Sequence, residues 1–501
     1  MPKRTRLGKE VFGNSMYNFL ATIISRGLGL VFIVVVARLL HPELFGIYSL
    51  ALSIVFIFFT FTDLGVNLAL VRYVSDAIGK KNKILARSYF QYLLKFKILF
   101  TSLFAIVLFI LARVLSVSLF NKPLLIIPLE IGAVYLFFLS FLDFITGIFY
   151  SVKQVKYNAL REGIFQVLRL IIAPVFILLF ISQYKVFGVF LSMILASILS
   201  LITLLFIVNK KYGFFFHGKV IPIDTKRVMK YVLLLTITSL SAVFLTYIDT
   251  IMLGIFLPSQ FVGFYRTALT IATSIAAFFT ITVVMFPIFA QVDKKKLKEI
   301  FRKLFHFSAI LAFPAAFGLI FIASPFIKSL FGPEYLPAVL PLYLLSFLIV
   351  EAGVFGYLVN LFQARERLKE PAIIIIISTI MNIILNYFFI TFAIKISFEA
   401  GMIGAAAATI ISRYSAVIAI AIMAKKRFKV APTAESIYKP LFASIVMATA
   451  LFFIQKITPP SNILEGIIQI AIAAFIYFSV LFIIKGIRKS DFQYIKSLVE
   501  K

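Results

Sequence analysis

The chain has no cysteine, no tryptophan and three histidines in 501 residues. Without thiols, disulfide bonds, thiolate metal sites and a cysteine nucleophile are excluded. The three histidines are too far apart in sequence for metal-ligand spacing, so we expect neither a metal nor a cofactor. Without tryptophan, an interfacial aromatic belt must come from tyrosine. We expect tyrosines near span ends to form it, namely Tyr48, Tyr150, Tyr265 and Tyr335.

Charge is also scarce. Only 14% of the residues are charged, 62% are hydrophobic and the mean hydropathy is +1.06. No soluble domain could bury so much apolar surface, so lipid must be the solvent. A spanning helix needs about 20 apolar residues, and the sequence divides into about fourteen such stretches with short polar breaks between them. The composition therefore predicts an all-α polytopic membrane protein.

Negatively charged residues are scarcer than positively charged ones, with 20 Asp and Glu against 50 Lys and Arg. If the N-terminus is cytoplasmic, roughly 37 of the 50 basic residues fall in inner loops and about 5 in outer loops. Topology and attraction to anionic lipid headgroups explain such a distribution, so we do not expect nucleic acid as a partner. The pattern predicts a multi-pass protein of the cell membrane with both termini in the cytoplasm.

The sequence contains an internal repeat. The pattern Gly-x-Tyr-x-x-Ala-Leu-x-Ile begins at Gly46 and recurs 217 positions later (263 − 46) at Gly263. Each copy opens the second hydrophobic stretch of one half of the chain. Six spans per half is an even number, so both halves enter the membrane in the same orientation, related by an axis along the membrane normal.

The repeat and a basic, polar break between its halves define the predicted domains. We expect a six-helix lobe over 1–208, a cytoplasmic linker over 209–227, a second six-helix lobe over 228–424, and two further spans with a cytoplasmic tail over 425–501. The short outer loops leave no room for an external catalytic or sugar-binding domain. We expect the protein to be a monomer.

Arginines inside the spans are the first candidates for function, because an ionisable group at mid-helix costs about 2.5 to 3.5 kcal/mol unless water or a partner meets it. Arg26 lies halfway along the first span, Arg413 at comparable depth in the twelfth, and Arg169 nearer the cytoplasm in the fifth. A guanidinium offers a rigid fork of donors that matches phosphate. Arginines that line a shared cavity would therefore bind a phosphate; the alternative is a buried ion pair between helices. Arg266, near an outer span end, is explained by snorkelling.

Three acids are candidates for coupling to an ion, either H⁺ or Na⁺. Glu351 is the most central in its span, whereas Asp249 and Asp63 lie off-centre. A carboxylate in a partly dry cavity can change charge or ligation between two states of a transporter. Here too a structural ion pair is the alternative, and Asp63 can also satisfy backbone donors in a turn at Gly65.

Residues 38–50 (RLLHPELFGIYSL), followed by 62–65 (TDLG) and 69–72 (ALVR), resemble the start of polysaccharide-biosynthesis membrane proteins. Residues 249–254 (DTIMLG) with 263–265 (GFY) are similar to the start of their second half. These proteins are oligosaccharide flippases of the multidrug/oligosaccharidyl-lipid/polysaccharide exporter superfamily. The resemblance covers essentially the whole chain. It implies a V-shaped pair of six-helix lobes that flips a polyprenyl-linked sugar by alternating access.

We therefore predict a flippase, not an enzyme, that moves polyprenyl-(pyro)phosphate-linked oligosaccharide from the cytoplasmic to the outer leaflet. Its partners would be this lipid, the membrane lipids and a coupling ion. An ion-coupled multidrug or organic-cation antiporter of the same superfamily is the first alternative, although the first span carries Arg26 where a cation exporter would want a carboxylate. A polytopic glycosyltransferase is the alternative of another class; it needs acidic or histidine residues on sizeable outer loops, which these loops lack.

Overall fold

The structure is a computed structural model that describes residues 2–279, 294–365, 367, 369–460 and 463–487. These residues are predominantly helical, and no strand occurs among them. The α-helices are α1 Pro2–Asp63, α2 Val66–Gly79, α3 Lys83–Val114, α4 Ile126–Ser151, α5 Lys156–Leu179, α6 Lys185–Tyr212, α7 Thr225–Phe256, α8 Ser259–Phe278, α9 Lys294–Leu330, α10 Val339–Leu345, α11 Gly356–Ala364, α12 Lys369–Ala393, α13 Phe398–Phe428, α14 Ala434–Ile457 and α15 Ile463–Ile483.

Within the described residues, 11 runs of helix are long and apolar enough to cross a membrane, or 12 if the bent pair Pro333–Leu345 and Leu348–Phe362 is one span. The first run, Ser25–Gly79, is 55 residues long and includes a backbone break at His41, so it holds two of the predicted spans. Helix α7 adds the shorter apolar segment Val243–Phe256. Counted in this way, the described helices agree with the prediction of about fourteen spans, and the all-α membrane class is confirmed.

Two local breaks shape the start of the chain. His41 has φ 60° and ψ 167°, directly before Pro42, and it divides α1 into two helical segments. Proline has no N–H to donate, so a helix is readily interrupted just before it. The second break lies at Gly65, whose φ of 81° is left-handed and which precedes α2. Glycine adopts this conformation without a steric penalty.

The chain folds as two compact units. The first contains Met1–Arg266 and Thr379–Ala405, and the second contains Thr267–Ser378 and Ala406–Lys501. In the first unit, α5 packs against α1 and α6, α4 packs against α6 and α3, and α3 packs against α2. Aromatic residues fill its core, among them Phe90, Phe144, Phe149 and Phe215. The predicted lobe and linker boundaries stay a prediction.

The two copies of the sequence repeat meet inside the first unit. A Cβ atom built on Gly46 would overlap the carbonyl oxygen of Ser259, and one built on Gly263 would overlap that of Pro42. Pro42 and Ser259 are themselves 217 positions apart (259 − 42). The glycines also face each other, with built Cβ to backbone N distances of 3.1 Å and 3.2 Å. Such a reciprocal contact is typical of residues beside a two-fold axis, and it fits the parallel repeat.

The end of α7 is held by the short connection between α3 and α4. Lys122 donates hydrogen bonds from Nζ to the carbonyl oxygens of Gly254 at 2.6 Å and Leu257 at 2.9 Å. A cation at a helix C-terminus is favourable because the unpaired carbonyls carry partial negative charge. Burial lowers the pKa of the Lys122 ammonium. This lysine therefore joins α7 to the first half of the chain.

The segment between α6 and α7 lies against the start of α3. Arg87 donates hydrogen bonds to the carbonyl oxygens of Phe214 and Lys219, the second at 2.8 Å. Ser88 Oγ accepts a hydrogen bond from Ile221 N at 2.9 Å. The middle of the predicted linker, at Phe214, Lys219 and Ile221, is thus held by side chains of α3.

In the second unit, α9, α14 and α15 pack together around a small apolar core. Its buried members include Ile310, Met447, Leu451 and Leu481. Tyr477 is fully buried and donates a hydrogen bond to the carbonyl oxygen of Ile310 at 2.8 Å. The two C-terminal spans are therefore anchored to α9.

The predicted tyrosine belt is wrong at three of its four positions. Tyr48, Tyr265 and Tyr335 are 1%, 0% and 0% exposed, and only Tyr150 is on the surface. A position near a span end does not decide whether a side chain faces lipid or another helix. Tyr48 and Tyr265 occupy equivalent positions of the repeat (265 − 48 = 217), which places both in the interior.

Candidate functional site

Arg26 lies on α1, and its side chain is exposed. Among the described residues, none forms a hydrogen bond or an ion pair with it. It lies within electrostatic range of Tyr247 on α7. A charged side chain at mid-span depth without a protein partner needs water around it. That Arg26 faces an aqueous cavity stays a prediction.

Arg169 on α5 is held by aromatic faces. Its guanidinium carbon lies 4.2 Å from the ring centroid of Phe32 and 5.1 Å from that of Phe165. Its Nε is buried, with no hydrogen-bond acceptor among the described residues. Gly29 stands beside it, since a Cβ there would lie 3.5 Å from Nη2. Stacking on two rings fixes the orientation of the guanidinium.

A carboxylate joins α1 to α5 next to these arginines. Glu162 accepts hydrogen bonds from Ser25 Oγ at 2.6 Å and from Gln166 Nε2 at 2.8 Å. Its other oxygen lies 2.6 Å from Arg161 Nη1. Ser25 directly precedes Arg26 in sequence, so this network fixes the backbone that carries Arg26.

Arg161 and Arg266 extend the positive region. The guanidinium carbons of Arg161 and Arg169 lie 5.9 Å and 5.1 Å from the ring centroid of Phe165, and Arg26 and Arg266 both lie within electrostatic range of Tyr247. Arg266 lies 5.4 Å from the Tyr247 ring centroid. Glu162 neutralises one guanidinium, so the group keeps a positive surplus. We call these four residues the arginine cluster: Arg26, Arg161, Arg169 and Arg266.

The sequence prediction found half of this cluster. Arg26 and Arg169 were predicted, Arg266 was assigned to snorkelling, and Arg161 was not selected. A signal for Arg161 existed, because Arg161, Phe165 and Arg169 follow at intervals of four and therefore share one helix face.

Arg413, the third predicted phosphate ligand, lies in the second unit. Its Nε is 3.2 Å from Glu351 Oε2, so two of the predicted site residues form a salt bridge with each other. Glu351 opens a five-residue π-helix, Glu351–Phe355. This pairing is the alternative that the sequence left open for both residues. A phosphate-binding role for Arg413 stays a prediction.

Asp63 has the local role that the turn suggested. Its Oδ1 accepts a hydrogen bond from Asn67 N at 3.1 Å, just beyond Gly65. It also lies 3.4 Å from Nζ of Lys97, whose side chain is fully buried. Asn67 donates a second hydrogen bond, from its side chain, to Asp143. These contacts support a structural role for Asp63.

Asp249 is buried among neutral donors. It accepts hydrogen bonds from the hydroxyl of Tyr265 at 2.9 Å and from Nδ2 of Asn386 at 2.8 Å. The amide oxygen of Asn386 has no hydrogen-bond donor in the described part of the chain. No cluster of three or more His, Cys, Asp or Glu side chains suited to a metal occurs in that part either. Of the three acids, Asp249 has the most enclosed polar surroundings.

Comparison with known families gives two matches. The profile of a family described as "Polysaccharide biosynthesis protein" matches residues 11–293, and that of "Lipid II flippase MurJ" matches residues 224–465. The chain is 25% identical over 273 residues to the probable low-salt glycan biosynthesis flippase Agl15 of Haloferax volcanii, covering 52% of this chain and 55% of that protein. The chain thus spans about half the length of this relative. It is 23% identical over 388 residues to an uncharacterized membrane protein of Methanocaldococcus jannaschii, covering 73% and 74%.

Solved structures show the same fold. The lipid II flippase MurJ in an inward closed conformation aligns with a TM-score of 0.75 at 17% identity, covering 94% of this chain and 98% of that one. An inward-facing multidrug resistance MATE transporter of the MOP superfamily aligns with a TM-score of 0.60 at 17% identity, covering 83% and 95%. The first family profile covers more than half of the chain and confirms the resemblance seen in the sequence. The chain therefore belongs to the polysaccharide biosynthesis protein family, in the multidrug/oligosaccharidyl-lipid/polysaccharide exporter superfamily.

Proposed function

We propose that this protein flips polyprenyl-(pyro)phosphate-linked oligosaccharide from the cytoplasmic to the outer leaflet by alternating access. The arginine cluster is the observation that carries the proposal. A lipid-linked oligosaccharide combines an anionic phosphate, a large polar glycan and an apolar tail, and the cluster matches the first of these. The haloarchaeal relative and the MurJ structure are both flippases by name, which supports the same assignment.

The residues suggest a division of roles in binding. Arg169 is stacked between aromatic rings and offers a fixed donor, whereas Arg26 is exposed and free to adjust to a ligand. Charge-assisted, bidentate hydrogen bonds between guanidinium and phosphate are the strong ones in proteins. The glycan would pass through water-filled space while the polyprenyl tail remains in the bilayer. No covalent bond changes, so the protein acts as a transporter and not as an enzyme.

The net positive charge of the arginine cluster argues against the alternative functions. The protein shares its fold with a multidrug transporter, but a site with surplus guanidinium repels an organic cation. A glycosyltransferase would need acidic or basic catalytic groups beside the sugar, and the outer connections are short. The cell membrane location, cytoplasmic termini and monomeric state stay predictions, based on the distribution of Lys and Arg and on the span count.

Lipid that co-purifies with the protein tests the proposal. We expect mass spectrometry to find a polyprenol joined through phosphate or pyrophosphate to a saccharide, and we expect it to be depleted in an Arg26→Ala, Arg169→Ala double variant. The protein should be purified from cells that make such saccharides. Recovery of bilayer lipids alone, or of a bound organic cation, would contradict the assignment.

We further propose that Asp249 or Glu351 couples ion movement to flipping. Asp249→Asn removes a buried charge that two neutral donors meet, and Glu351→Gln removes the partner of Arg413. In proteoliposomes we expect one of these variants to flip lipid at a rate that no longer responds to a proton or sodium gradient. Asp76→Asn, at an exposed acid paired with Lys80, is the matched control. If both test variants respond to both gradients as the unmodified protein does, neither acid is the coupling group.

A further inference from the structure

A cavity of about 390 Å³ lies at one end of the packed helices α9, α14 and α15 in the second unit. Its lining comes from the first turns of α9, from the start of α14 and from the turn after α15. The charged members are Glu299, Arg302, Lys303, Glu435, Lys439 and Lys485. None of these residues belongs to the arginine cluster.

Two of the four basic residues are already neutralised. Lys303 lies 3.0 Å from Glu299, and Lys439 lies 3.5 Å from Glu435. Lys439 also donates a hydrogen bond to the carbonyl oxygen of Lys485 at 3.3 Å, which ties α14 to the turn after α15. The side chains of Arg302 and Lys485 remain, and neither forms a salt bridge with an acid in the described part of the chain. The cavity therefore has a surplus of two positive charges.

Neutral donors line the same cavity. Thr433 and Ser436 both contribute to it, and their hydroxyl oxygens are 2.6 Å apart. Thr433 is the N-cap of α14, and its side chain does not bond the first N–H groups of that helix. Uncapped N–H groups at a helix start favour an anion. Together with Arg302 and Lys485, this set of donors suits a phosphate.

The apolar surface beside the cavity indicates whether the phosphate belongs to a lipid or to a soluble molecule. Large apolar side chains next to the cavity point away from the protein on both C-terminal helices. On α14 they are Tyr438 and Phe442, 53% and 52% exposed; on α15 they are Phe482 and Ile483, 64% and 75% exposed. In a spanning helix such surface faces acyl chains. This apolar surface can contact the acyl chains of a lipid that carries the phosphate. A soluble phosphate has no apolar part to contact it.

We propose that this cavity binds the phosphate headgroup of an anionic bilayer lipid, with the acyl chains against α14 and α15. Arg302 and Lys485 supply the charge, and the start of α14 supplies neutral donors. The lipid would link α9 to the two C-terminal helices. It is separate from the transported lipid, because the residues that bind it are not those of the arginine cluster.

Native mass spectrometry of the full-length protein with added dioleoylphosphatidylglycerol tests this site. The variant Arg302→Gln, Lys485→Gln removes the surplus charge, and Lys425→Gln, Lys426→Gln removes two charges from the exposed end of α13 as a matched control. We expect affinity for this lipid to fall by about tenfold or more in the first variant and to stay unchanged in the second, because each nearby basic side chain adds to attraction for an anionic headgroup.

A second measurement separates the sources of phosphate. Thermal unfolding of the unmodified protein should shift upward with phosphatidylglycerol and not with inorganic phosphate or with uncharged diacylglycerol. An equal loss of lipid affinity in both double variants would mean general surface attraction, and equal protection by inorganic phosphate would mean a site for the free ion. Either result overturns the proposal. Neither measurement depends on flipping, so the lipid-site proposal can fail while the proposed transport function stands.

Discussion

The change Gly46→Ala is expected to destabilise the protein strongly, because the added methyl group has no space. Its Cβ would overlap the carbonyl oxygen of Ser259, which belongs to a packed backbone and cannot rotate away. Overpacking typically costs about 1 to 3 kcal/mol, and a clash with backbone should lie at the upper end. Gly263→Ala should behave alike, since its Cβ would overlap the carbonyl oxygen of Pro42. Thermal unfolding of the purified protein is the measurement.

Matched controls come from helical glycines with open surroundings. Gly163 on α5 and Gly318 on α9 have no atom within 4 Å of a built Cβ. Alanine is preferred to glycine inside a helix by up to about 1 kcal/mol, so these two changes should be neutral or slightly stabilising. If Gly46→Ala and Gly318→Ala unfold at the same temperature, the close contact between the two repeat copies does not exist as described.

These glycines show what a sequence pattern can and cannot reveal. The repeat predicted two parallel halves, and six spans per half fixed their orientation. It did not predict that the two patterns touch each other, because a spacing along the chain contains no distance across it. The reciprocal contact of Gly46 with Ser259 and of Gly263 with Pro42 appears only when the chain is folded.

Hydropathy has a related limit. It predicted the helices well, because the free energy of placing a segment in lipid depends mainly on the composition of that segment. It does not tell which face of a helix meets lipid and which meets protein. Tyr48 and Tyr265 were therefore expected at the interface and are buried.

Depth along a span also does not show whether an arginine has an acid as its partner. Arg26 and Arg413 are equally deep by sequence, yet Arg413 pairs with Glu351 and Arg26 has no such partner in the described residues. The difference depends on which acid another helix places nearby. Only the tertiary structure contains that information.

The substitution Arg26→Ala is expected to abolish flipping while the protein still folds. Removing the guanidinium removes both the charge and the bidentate donors that would bind phosphate, but it leaves no acid unpaired in the described structure. Arg26→Lys keeps a point charge and loses the fork, so activity should decrease from Arg to Lys to Ala. The measurement is delivery of lipid-linked saccharide to the outer leaflet, normalised to the amount of folded protein.

Arg413→Ala is the contrasting variant, because it leaves Glu351 in a span without its cation. Breaking a buried pair in this way costs about 3 to 5 kcal/mol, less where the pair is partly exposed as here, so the protein level should fall. Adding Glu351→Gln should restore that level, whereas no second substitution of an acid should rescue Arg26→Ala. Normal flipping by a well-folded Arg26→Ala protein would end the phosphate-binding role. Because Arg413→Ala fails through folding and Arg26→Ala through transport, the two variants separate the two roles of a membrane-buried arginine.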